Sequence, residues 1–163
     1  MPLMLRLCEW LEQIPWIVTV TNSAVLISLV WLVHYLGFFL LVGSTAFVDL
    51  RVLGAAARNQ KLAPLAGLLF PLAWIGLGMV IASGFIMFAG QATTFYPTEV
   101  FRIKMGIVLL ALVFGVIVQR KMPVWDRAQS VPAAAKWLAF ASLALWIGAI
   151  LAGLEVPAFI PGI

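Results

Sequence analysis

The chain has little charge, one histidine and one cysteine. Asp, Glu, Lys and Arg make up 10% of its 163 residues, against about 25% in a soluble globular domain. An ordinary soluble enzyme is therefore excluded. Cys8 stands alone, which leaves no intrachain disulfide and no paired-cysteine metal or redox motif. With one histidine and no Ser/His/Asp set, hydrolytic catalysis has no support, and a stand-alone enzyme is not expected. No small-residue cleavage site follows the first apolar stretch, so no signal peptide is expected. No internal repeat is evident.

Apolar length is what the chain has in abundance. Its residues are 64% hydrophobic and its mean hydropathy is +1.13. Several apolar runs reach the roughly 20 residues that a helix needs to cross a bilayer. The expected fold is all-α: one polytopic membrane domain over 1–163, with four transmembrane helices in a bundle. A short N-terminal interfacial helix over 3–20 precedes them. There Leu3, Leu5, Leu7 and Leu11 alternate with Arg6, Glu9 and Glu12, Trp10 and Trp16 suit the headgroup boundary, and Pro15 breaks the segment. The spans are placed at about 24–48, 62–89, 99–118 and 137–155 by their apolar length. Pro71 should kink the second. Pro123 and Pro132 mark residues 119–136 as a loop.

The net charge of +4 does not imply nucleic acid, because the basic residues are scattered beside apolar spans rather than gathered in a stripe. Seven of the ten Lys and Arg residues fall in two connections, Arg51, Arg58 and Lys61 in one and Arg120, Lys121, Arg127 and Lys136 in the other. By the positive-inside rule both connections are cytoplasmic and both termini periplasmic, as for a multi-pass protein of a bacterial inner membrane.

Polar groups inside the spans mark the candidate site. His34 lies 12 residues beyond Asn22, about 18 Å along a helix and near mid-membrane. An ionisable residue at that depth is a functional candidate. The packing alternative is a neutral imidazole bonded to a serine or a carbonyl across a helix interface. Met79 lies at comparable depth, and Met87 two turns nearer the periplasmic side on the same face. A histidine with thioethers suits Cu(I), and the same histidine suits haem iron. The third span has only 14 uninterrupted apolar residues, Met105–Val118, so Lys104 and Arg102 are drawn toward the membrane. A charge cluster of Glu99, Arg102, Lys104 and Glu155 is expected there. Asp49 and Arg51 are expected to anchor the cytoplasmic boundary, with Asp49 paired to Arg51, Arg58 or Arg120.

His34-x-x-Gly37, Gly43, Asp49-Leu50-Arg51 and Leu53-Gly54 resemble an uncharacterised bacterial family of small four-helix inner-membrane proteins. Gly84-Phe85-x-Met87-Phe88, Phe101-Arg102-Ile103-Lys104-Met105 and Leu145-Trp146-x-Gly148 extend the resemblance over nearly the whole chain. More distantly the chain is similar to copper-resistance D-type and haem-binding four-helix membrane proteins. That similarity implies a haem b or copper link for His34 and Lys104, with a role in electron transfer or metal handling. One histidine departs from a bis-histidine haem site, so Lys104, a methionine or a second subunit would supply the other ligand. The alternative function is a non-catalytic membrane subunit or scaffold docking a membrane or periplasmic partner. A homo-oligomeric proton or ion relay is the third. The lipid bilayer is the partner common to all three.

Overall fold

The computed structural model describes residues 2–127 and 131–158, with side chains over 3–127 and 131–153. All elements among them are helical. They are α1 (Pro2–Glu12), α2 (Pro15–Asn22), α3 (Ala24–Leu53), α4 (Leu62–Ala89), α5 (Ala92–Phe95), α6 (Glu99–Arg127) and α7 (Ala133–Ala158). Four of the described helices are long and apolar enough to cross a membrane: α3, α4, α6 and, over Ala133–Gly153, α7. Their outward faces carry large apolar side chains such as Leu32, Phe39, Leu68, Ile81, Leu109 and Ile147. In water those faces would be a severe liability, and in a bilayer they meet lipid. The chain is a multi-pass helical membrane protein.

Local chemistry sets where each helix begins and ends. Pro15 occupies the first turn of α2, where its missing N–H costs nothing. The Ser23 hydroxyl accepts the Leu26 amide at 3.4 Å and starts α3. Gly54, at φ 76°, closes α3 in the left-handed conformation, and the Ala55 amide reaches back to the Leu50 carbonyl at 2.9 Å. The start of α4 is capped from another helix, where Asp126 Oδ1 accepts the Leu62 amide at 2.8 Å.

The long helices pack in a ring, α3 on α4, α4 on α6, α6 on α7 and α7 back on α3. The tightest crossing is α3 on α4, at two glycines. A Cβ added to Gly37 would lie 2.9 Å from the Gly76 carbonyl oxygen, and one added to Gly76 would lie 2.5 Å from the Gly37 carbonyl oxygen. Backbone meets backbone there, as small residues permit between membrane helices. One core cluster, around Val48, Phe70 and Met122, fills the half of the bundle nearest the two basic connections, called here the basic end. A second, around Leu41, Ala111 and Trp146, fills the middle. Helices α1, α2 and α5 cover the opposite end, the cap end. Glu12 Oε1 fastens α1 to α5 by accepting the Thr93 amide at 2.8 Å and the Thr93 hydroxyl at 2.7 Å.

Several boundaries differ from the sequence-based expectation. The N-terminal segment is two helices rather than one, broken before Pro15. Helix α3 runs past residue 48 to Leu53, and α7 begins at Ala133, ahead of 137. Helix α6 continues through Pro123 to Arg127, so most of the expected 119–136 loop is helix. Proline removes the bond to the carbonyl four residues back, here that of Gln119. Exposed Pro123 lies beyond the long apolar run of α6, and buried Met122 together with Trp125 holds the last turns to the core.

A candidate functional site at His34

His34 projects from α3 toward α4, where Gly84 makes room for the ring. A Cβ at Gly84 would lie 3.2 Å from His34 Cε1, so any larger residue would press on the imidazole. The Nδ1 edge is 3.0 Å from Ser83 Oγ. Ser83 Oγ in turn donates to the Met79 carbonyl, one turn back on α4, at 2.5 Å. A serine hydroxyl has one hydrogen. With that hydrogen spent on Met79, Ser83 accepts from Nδ1–H. The neutral imidazole then carries its proton on Nδ1 and a lone pair on Nε2. Across the helix interface His34 thus bonds a serine, the packing alternative recognised in the sequence. In this tautomer Nε2 carries no proton.

Lys104 approaches from α6. Stacking of Phe101 on Phe88, with ring centroids 5.4 Å apart, and a tilted contact of Phe95 with Phe101, also at 5.4 Å, seat the first turn of α6 against α4 and α5. Lys104 lies one turn further along the same face. Its ammonium settles beside α7, where a Cβ at Gly153 would be 3.6 Å from Nζ. All four long helices therefore contribute: an imidazole from α3, a hydroxyl and a notch from α4, an ammonium from α6 and a second notch from α7.

The other sequence candidates fall in different places. Met79 Cβ packs against Gly37, one turn from His34, and the Met79 carbonyl anchors Ser83. Met87 is half-buried one turn from Ser83 toward the cap end. Glu99 and Arg102 meet each other, Oε1 to Nη2 at 3.9 Å, with both side chains well exposed. Such a pair contributes little. Lys104 is turned toward Gly153 instead, and the Glu155 side chain lies outside the described residues. Arg51 Nε donates to the Gln60 carbonyl at 2.7 Å, closing the first basic connection.

Asp49 makes no ion pair among the described residues. Only 1% of it is exposed, and its Oδ2 has no hydrogen-bond partner. The expected boundary pairing with Arg51, Arg58 or Arg120 does not form. Position explains this: residues two apart on a helix point to opposite sides, so Arg51 turns outward while Asp49 turns in with Thr45 and Val52. That periodicity was available in the sequence. Ser83 carried a weaker signal, since it lies one turn from Met79, the residue of α4 at the depth of His34.

No group of three or more His, Cys, Asp or Glu suited to a metal occurs among the described residues. A cavity of about 30 Å³, lined by Thr45, Leu77, Gln119 and Trp146 among others, lies between the four long helices in mid-bundle. Comparison with protein-family models, with curated proteins and with solved structures finds no match, so a functional reading rests on the geometry around His34.

Proposed function

We propose that this chain is a membrane-embedded subunit that binds haem b through His34 and serves electron transfer. The observation that carries the reading is the proton count at Ser83. It favours the imidazole hydrogen on Nδ1, the edge that faces Ser83, and so an Nε2 that carries no proton. Ligating histidines are commonly held this way, the second ring nitrogen donating to a nearby oxygen that fixes the ring and raises ligand basicity. Haem, when bound, supplies one-electron redox chemistry tuned by its axial ligands. Lys104 offers either a second nitrogen or a positive charge for a propionate. A copper ion alone suits these residues less well, because no group of three or more His, Cys, Asp or Glu stands together among the described residues.

In this reading the basic connections face the cytoplasm and the cap end faces the periplasm of a bacterial inner membrane, which the distribution of Lys and Arg supports. The test is the absorption spectrum of the full chain purified from haem-sufficient cells, oxidised and reduced. The b-type bands are expected in the wild type and absent from His34→Ala. A colourless wild-type protein would count against the proposal.

A second reading is a non-catalytic subunit that docks a partner at the cap end. Exposed Leu3, Met4, Leu7 and Trp10 on α1 favour it. Retention of function in cells by His34→Ala would support it over the first.

A further inference from the structure

We propose that Asp49 is a buried proton-binding site at the basic end of the bundle, carried as the neutral carboxylic acid and facing Ser142 of α7. Asp49 lies 15 residues along α3 from His34, about 22 Å toward the basic end. It is separate from the candidate haem site. Asp49 Oδ2 and Ser142 Oγ are both buried here without a hydrogen-bond partner, as is Trp146 Nε1 nearer the middle of the bundle. Their residues are 1%, 0% and 1% exposed. Ser142 faces the carboxyl, and Trp146 stands one turn further along the same face of α7.

Among the described residues no positive charge pairs with Asp49. The core cluster at this level includes apolar Ala66 of α4, Val118 and Met122 of α6 and Ala139 of α7. Arg51 bonds the Gln60 carbonyl and Arg58 the Gly54 carbonyl. Lys61, Arg120, Lys121, Arg127 and Lys136 are exposed, and Asp126 accepts the Leu62 amide. Among the described residues the single ion pair is Arg102 with Glu99, at the far end.

A carboxylate buried among packed helices without a cation is among the costliest arrangements in a protein interior. Either a metal cation or a proton must neutralise it. A metal cation needs several oxygen ligands, and no group of three or more His, Cys, Asp or Glu occurs here among the described residues. A proton suits Asp49 and Ser142 together. The acid O–H donates to Ser142 Oγ. On loading, an O–H bond forms at Asp49 as one breaks in hydronium, leaving water; unloading reverses this. Asp49 is one turn from the end of α3 at Leu53, so the exchange is with water at the basic end.

The test is infrared spectroscopy of the full chain in lipid nanodiscs at neutral pH. The wild type minus Asp49→Asn difference should contain the carbonyl stretch of a protonated carboxylic acid, shifted in heavy water. Loss of ionised-carboxylate bands alone would overturn the proposal. So would sodium-dependent thermal stabilisation of the wild type that Asp49→Asn abolishes, because the occupant would then be a cation. If Asp49→Asn does not fold, carbon-13 labelling of aspartate in Asp126→Asn leaves Asp49 as the one labelled carboxyl. Its signal must then read as the acid, and a carboxylate signal would refute the site.

Discussion

Ser83 accepts the Nδ1 proton of His34 across 3.0 Å while its own hydroxyl proton is held by the Met79 carbonyl at 2.5 Å. This two-step relay fixes both the orientation of the ring and the nitrogen that carries no proton. It also ties the one imidazole of the chain to the backbone of a second membrane helix. That linkage is what separates an oriented histidine from one that only fills space.

Ser83→Ala removes the acceptor and leaves a half-buried N–H unpaired. The cost should be about 1–3 kcal/mol of stability, read as lowered thermal or denaturant resistance in a fixed detergent. Loss of a supporting partner also weakens ligand binding by about 10–100-fold in comparable sites, so haem affinity should fall even where the fold survives.

Gly76→Val should be among the most damaging single changes in the spans. Its Cβ would lie 2.5 Å from the Gly37 carbonyl oxygen and 2.6 Å from the Leu41 amide nitrogen, and backbone cannot step aside as a side chain can. Overpacking costs about 1–3 kcal/mol, occasionally more. Gly78→Ala, two residues away with open space around it, is the control. It should be neutral or stabilising by up to about 1 kcal/mol through helix propensity. Melting curves of the two variants in the same detergent separate these outcomes.

Glu12→Ala should loosen the cap end without unfolding the bundle. Glu12 accepts two hydrogen bonds from Thr93, and bonds to a charged acceptor contribute about 1.5–3 kcal/mol each. Hydrogen exchange should accelerate in α1 and in residues 90–98, while amides of α3 and α4 around Gly37 and Gly76 keep wild-type protection. Uniform acceleration throughout the chain would contradict a local fastening.

The spans were legible because apolar length is a local signal, whereas the left-handed stop at Gly54 lies beyond the apolar run that set the expected end of α3 at 48. The C-terminal part of α6 was not legible. Pro123 reads as a breaker, whereas the packing of Met122 and Trp125, which extends the helix through it, depends on tertiary neighbours. His34 stood out by its depth alone. Ser83 did not, because serine in a membrane helix usually bonds its own backbone, as Ser83 also does. Asp49 shows a different failure. Its proximity in sequence to Arg51 suggested an ion pair, whereas the helical phase separates the two and buries the acid beside Ser142.

The most direct test of the proposed function is titration of haemin into the purified, haem-free chain in detergent micelles, for the wild type and His34→Ala in parallel. The account predicts saturable binding with a Soret shift in the wild type, and no saturable shift in His34→Ala despite an unchanged helical circular dichroism spectrum. Identical titrations of the two proteins, or no binding by either, would contradict it.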